Sequence, residues 1–349
     1  MVTTMLNPRL LLGSSRAPAT SAHLCLVAAS GLVGLGLATA ANATGSSPAK
    51  PASSLLAPGA TWEKVIGDLT FSEGPAWHPD GFLLFEDVPA DRTMVLDARG
   101  KVSVFRSPTN HANGLSFDAQ SRLIACEGNA PSGGRRVVRI ARKGKGKVQI
   151  LADGFEGKRF NSPNDLAIDR LGRIYFTDPR YSKRETMEMD VEAVYRIDPD
   201  KRVTRIIDSL TRPNGILVTP DGKTLYVADN ASPGGVVTLW GFDLDRRGDA
   251  GNGRVLYDFR EGRGIDGMAL DAEGRIWATA GTKDKAGIYV FRPDAERKTA
   301  ELVQMIPTPE DPTNVTFGGN KRNVLYVTTT ASLLRIQTTV RGQPSPPGK

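Results

Sequence analysis

Short apolar runs alternate with polar positions along most of the chain, and turn residues separate one run from the next. A period of two predicts β-strands rather than helices. Six of these modules open on a polar residue: Glu73, Asn113, Asn164, Asn214, Asp266 and Asn314, in steps of 40, 51, 50, 52 and 48 residues. In most of them a small or acidic residue follows the head. An alternating apolar strand, a turn such as Pro-Asp-Gly and a second apolar strand complete the pattern, as in Asn214-Gly-Ile-Leu-Val-Thr-Pro-Asp-Gly-Lys-Thr-Leu-Tyr-Val-Ala-Asp229. A repeat near this length is what one four-stranded propeller blade occupies, and a unit that cannot bury its apolar face alone must stack on its neighbours. The pattern therefore predicts an all-β, six-bladed β-propeller with four antiparallel strands per blade. Its six heads would begin the innermost strands and face one axial channel.

The sixth module offers three strands, at residues 313–317, 324–329 and 333–338. Residues 62–69 alternate like a strand but have no blade of their own. They are expected to join the C-terminal strands, close the ring and cover edges that would otherwise template aggregation. Trp77, Phe117, Tyr175, Tyr226, Trp277 and Tyr326 recur at comparable positions and are expected to pack between blades.

The 37 Gly and 23 Pro fall largely in turn contexts between apolar runs and so support hairpins rather than low-complexity sequence. Residues 1–43 hold Arg9 and Arg16, no acid, and an apolar stretch ending in Ala38-Thr-Ala40 and Ala41-Asn-Ala43. This reads as a signal peptide, so the protein is expected to be exported to the periplasm or beyond. The apolar run is shorter than a spanning helix requires, so no stable membrane association is expected after cleavage. Residues 44–60 read as a flexible linker, 61–340 as the propeller and 341–349 as a disordered tail.

Once residues 1–43 are removed the formal charge falls from +7 to about +5. Such a mild balance, with no aromatic platform interleaved with the basic run 135–147, argues against nucleic acid and for a solvated hairpin. Cys126 would be the single remaining cysteine, so no intramolecular disulfide is expected. Monomer or weak dimer is the expected state.

Only His78 and His111 would remain in the mature chain, which excludes a His-rich zinc site and leaves a Ser-His-Asp triad little room. His78 sits in a turn and is expected at the surface; His111 precedes a head by two residues and is a candidate substrate contact. Glu73, Asn164, Asn214 and Asp266 together offer two carboxylates and two amide carbonyls, a set suited to one hard divalent cation. Calcium is the first expectation, with zinc, manganese and magnesium as alternatives. A ring of polar groups bridged by trapped water is the competing reading.

At these residues the chain resembles the senescence marker protein (regucalcin) and gluconolactonase family over roughly residues 62–338. The resemblance rests on Phe71-Ser-Glu-Gly-Pro-Ala-Trp77, His111-Ala-Asn-Gly-Leu115, Gly157-Lys-Arg-Phe-Asn-Ser-Pro-Asn-Asp165, Tyr175-Phe-Thr-Asp-Pro179, Arg212-Pro-Asn-Gly215 and Asp266-Gly-Met268. It implies a six-bladed propeller hydrolysing sugar lactones with one axial metal. Glu73, Asn214 and Asp266 would be direct ligands, Asn164 a ligand directly or through water, and Asp266 also the catalytic base. Asn113, Arg159 and Asn161 would orient substrate, unless Arg159 pairs with Glu156 at the surface.

Two departures bear on specificity. Ser162 stands where regucalcin-like members carry an arginine, and residues 180–190 replace a Pro-Tyr-Gly turn of the gluconolactonase branch. A related propeller hydrolase or lyase for another ester or modified sugar, and a non-catalytic ligand-binding propeller, are the alternatives.

Overall fold

The computed structural model of the protein describes residues 54–130, 133–141, 148–231 and 233–344; the expected signal segment and most of the expected linker lie outside them. Within the described residues, six four-stranded antiparallel sheets form the blades. Their inner strands are Ser72–His78, Ala112–Phe117, Leu166–Ile168, Pro213–Val218, Met268–Leu270 and Pro312–Gly318. Each inner strand contacts the inner strands of the blades on either side, and the last meets the first. The ring closes as the alternation predicts: Glu63–Ile66 is the fourth strand of the last blade, with Glu63 opposite Arg335 and Lys64 opposite Leu334.

Second strands are covered on both faces. Ile174–Asp178 and Thr224–Asn230 are buried at every position, as a strand sandwiched between two neighbouring blades must be. The core consequently lies between blades. Tyr175, Tyr226 and Trp277 are each buried against the blade that follows their own, and Trp77 stacks on Tyr326 across the ring closure with centroids 5.7 Å apart. Removing such an aromatic would cost roughly 3–5 kcal/mol.

The hairpin turns carry their own staples. Asp169 Oδ1 accepts the Leu171 and Arg173 amides while its Oδ2 takes the Arg173 guanidinium at 2.6 Å, and Asp271 does the same with Arg275.

Three features differ from the sequence reading. Residues 54–60, expected as spacer, pack on the closing blade: Leu55 is buried in its core, and Leu56 bridges Thr338. The start of the expected tail is likewise docked, with Gly342 bridging Asp271 and the Gln343 amide donating to Leu270 O at 2.9 Å. His78 is not at the surface. It is 1% exposed, stacked on Phe82 at 4.3 Å and edge-on to Phe117 at 4.6 Å, because it ends the inner strand, opposite Phe82, rather than entering the turn. The basic run is described in part; Arg136–Ile140 is a third strand whose Arg136 pairs with Glu127.

Candidate active site

The head residues depart from the regular strand ladder, and that departure aims them. In blades 1, 2 and 4 the register slips between Glu73 and Ala76, Ala112 and Leu115, and Pro213 and Ile216. Asn164 and Asp266 lie just ahead of their strands, Leu166–Ile168 and Met268–Leu270. Irregularities of this kind bend the strand and re-aim a side chain. Five heads thereby line one axial cavity of about 670 Å³: Glu73, Asn113, Asn164, Asn214 and Asp266.

Asn314 does not join them. In its blade the irregularity falls earlier, between Pro312 and Asn314, so Asn314 is back in the ladder opposite Thr328. Its amide instead packs against Gly267 and bonds Asp165, lining a smaller cavity of about 120 Å³ further along the axis. The expectation that all six heads share one chamber is corrected on this point.

Carboxylates at the ends of the second strands hold the loops that deliver the heads. Asp87 Oδ1 accepts the Thr70 and Phe71 amides ahead of Glu73. Asp178 accepts the Asn161 and Ser162 amides at 2.7 and 2.6 Å ahead of Asn164, and Asp229 the Thr211 and Arg212 amides at 2.9 and 2.7 Å ahead of Asn214. Blade 5 ends this strand in Ala280, and an arginine does the work there. Arg263 donates to Pro312 O at 2.6 Å and forms an ion pair with Asp266.

The electrostatics follow from burial. Glu73 is 3% exposed, and burial, followed by the nearby charges of Asp266 and Asp165, pushes its carboxyl well above the usual range. Burial raises Asp266 too, opposed by the Arg263 cation and the Asn214 amide. Asp165, adjacent to Asn164, is raised to about 7, chiefly by burial. Two carboxylates thus repel each other inside one chamber beside a single arginine, and burying such charges is costly without compensation. An all-oxygen set of two carboxylates and two amides, drawn from four blades, fits a hard divalent ion. Among the described residues no group of three or more His, Cys, Asp or Glu side chains is placed to hold a metal, so Asn164 and Asn214 are indispensable to any such site.

The other candidates lie outside this lining. Arg159 is exposed and donates to Gly134 O at 2.8 Å, while Glu156 is not its partner among the described bonds. Asn161 is fully buried, its amide committed to the Asp178 and Val191 carbonyls at 3.2 and 2.9 Å. His111 has its ring Nδ1 2.9 Å from Val88 O. Residues that sequence reasoning missed also face the cavity, among them Tyr181, Asn230 and Arg263. Arg263 carried a signal, a basic residue three positions ahead of an acidic head, and Tyr181 lay in the departing segment 180–190; Asn230 carried none.

The site and the propeller around it define a class. Residues 71–331 match the SMP-30/Gluconolactonase/LRE-like region, and the chain belongs to that family, on its gluconolactonase-like branch. A gluconolactonase of Zymomonas mobilis is 32% identical over 308 residues, covering 80% of this chain and 82% of that protein. Human regucalcin is 28% identical over 264 residues, covering 73% and 82%. Among solved structures, a gluconolactonase from Xanthomonas campestris superposes with a TM-score of 0.70 at 32% identity, over 81% of this chain and 91% of that one.

Proposed function

We propose that this propeller is a metal-dependent hydrolase of sugar lactones. It is a lactonase-type hydrolase of the gluconolactonase kind, and the finer reading rests on one observation: Glu73 and Asp266, mutually repelling and buried, share their cavity with the amides of Asn164 and Asn214. Those four residues would hold a divalent cation, calcium before zinc, manganese or magnesium. When bound, the cation supplies Lewis-acid polarisation of a carbonyl.

The remaining chemistry belongs to the chain. Asp266, in contact with the Arg263 guanidinium, takes a proton from the attacking water as its oxygen bonds to the lactone carbon. The ring C–O bond then breaks, and the departing alkoxide recovers the proton from Asp266 as the hydroxy acid forms. Asn113, across the chamber, orients the substrate.

Titrating acid release from D-glucono-δ-lactone before and after exhaustive chelation tests this. Activity should vanish on stripping and return with added cation; full activity in metal-free protein rejects it. We further propose that the protein acts outside the cytoplasm, on the strength of the segment 1–43. A mature N-terminus just after Ala40 or Ala43 is the expected result of sequencing it, and an intact Met1 in the folded cellular protein would reject export.

A further inference from the structure

Residues 180–190, which interrupt blade 3 between its second and third strands, carry a side chain into the chamber and are firmly moored. Glu192, nearly buried, accepts the Arg180 amide at 2.7 Å and pairs with Arg184. The Arg180 guanidinium donates to Asn161 O at 2.6 Å. Next to this anchor Tyr181 crosses to blade 4. Its ring lies 5.3 Å from the Arg212 guanidinium, and its hydroxyl accepts the Asn214 amide at 2.7 Å. The ring is half exposed while the hydroxyl end lines the cavity.

That hydroxyl is a donor by necessity. With Asn214 donating into the oxygen, the O–H is left to point elsewhere, and no acceptor for it stands among the described bonds.

A complementary orphan faces the same chamber. Asn230 is 5% exposed, its Nδ2 is spent on Ile265 O at 3.0 Å, and its Oδ1 has no donor. A buried amide oxygen without a partner is costly unless something polar fills its place. The two groups are linked through Arg212, whose carbonyl accepts the Asn230 backbone N–H at 3.0 Å and whose guanidinium lies against Tyr181.

We propose that Tyr181 and Asn230 form a hydroxyl-recognition subsite, the phenol donating to one substrate hydroxyl and the Asn230 carbonyl oxygen accepting from another, so that the chamber selects polyhydroxylated lactones over unadorned ones. This rests on the sugar-lactone reading and adds which side chains read the substrate's hydroxyls. Because both contacts are made to groups remote from the scissile bond, they act on ground and transition state alike and appear in KM.

The experiment compares wild type, Tyr181→Phe and Asn230→Leu on D-glucono-δ-lactone and δ-valerolactone. Each variant should raise KM for the sugar lactone roughly three- to tenfold more than it raises KM for δ-valerolactone, with kcat for the sugar lactone within about twofold. Equal losses on both substrates would mean that Tyr181 acts only by orienting Asn214, and would overturn the proposal; so would no loss on either. Calorimetric titration with D-glucitol, using 1,5-pentanediol as control, reads recognition without hydrolysis. Wild type should bind the polyol alone and Tyr181→Phe should bind it more weakly. A wild type that opens no lactone yet binds D-glucitol would sink the hydrolase reading and leave the subsite standing, whereas failure to prefer the polyol sinks the subsite.

Discussion

The Arg263 guanidinium meets the Asp266 carboxylate inside the axial chamber, only three residues away in sequence and braced from behind by Pro312 O. Burial raises both carboxylates, but the cation opposes the shift unequally: Glu73 gains only the distant part of it, while Asp266 gains the contact. A general base acts in its unprotonated form, and the direct guanidinium contact that favours this form is made by Asp266 and not by Glu73, which assigns proton transfer to Asp266. Asp266→Asn should therefore reduce kcat for lactone opening by roughly 10²–10⁴. The amide keeps a carbonyl for Arg263, so the unfolding temperature should move little. Stopped acid-release assays alongside scanning calorimetry check both halves.

The same electrostatics predict a response to cation. A ligand that binds the folded protein and not the unfolded chain stabilises it by mass action, about 2.7 kcal/mol at a hundredfold excess over Kd. Added calcium should raise the unfolding temperature of chelator-treated protein by several degrees, and Glu73→Gln should abolish most of that rise. An unchanged melting curve for wild type across calcium concentrations would count against the site. Calorimetry on Asn214→Ala provides an independent check, since half of the ligand set is amide.

How far the sequence discloses this molecule depends on whether a feature is local or collective. Blade number, strand order and ring closure follow from alternation and turn chemistry, which are local, and the closing pair Glu63 and Arg335 lies where the unpaired strand predicts. The heads could be located by their common register. Their aim could not: Asn314 matches the others as a sequence position, yet a slip placed before it rather than after it turns its amide into a different cavity. Segment 180–190 stood out as a departure, but the place of Tyr181 could not be read from it, since an irregular segment of one blade reaches a site on the next only through tertiary contacts such as Arg212. Arg159 and Asn161 sit in a matching motif, but one is exposed and the other's amide is consumed by the carbonyls of its own blade.

Burial gives a pH dependence unconnected with the chamber's chemistry. Glu86 is fully buried, with one oxygen bonded to Thr93 Oγ1 at 2.7 Å and the other unpartnered, and burial pushes its carboxyl up to about 8. A folded-state value above the unfolded one means that its stabilising contribution is complete below the unfolded pKa, near 4.5, and is lost as pH rises to 8. The slope for one such group is at most about 1.4 kcal/mol per pH unit. Glu86→Gln should match wild type near pH 4.5, exceed it progressively toward pH 8 and gain nothing further above that. Urea midpoints across this range decide it; parallel curves for the two proteins would contradict the assignment.

Close approach of neighbouring heads makes the glycine that follows four of them, Gly74, Gly114, Gly215 and Gly267, a structural requirement. A Cβ at Gly215 would fall 2.1 Å from Asp266 O, the backbone of the next blade's head, so blades 4 and 5 would have to separate where two of the four proposed ligands sit. Gly222 is the contrasting case, at φ +68 in a hairpin turn with open space around it. Gly222→Ala pays only conformational strain, about 1 kcal/mol. Gly215→Ala adds overpacking, worth about 1–3 kcal/mol or more, and displaces Asp266 relative to Asn214. Thermal unfolding should show the larger loss at Gly215, and lactone turnover should fall at Gly215 alone. Equal effects in both assays would mean that the blades do not hold the site by this contact.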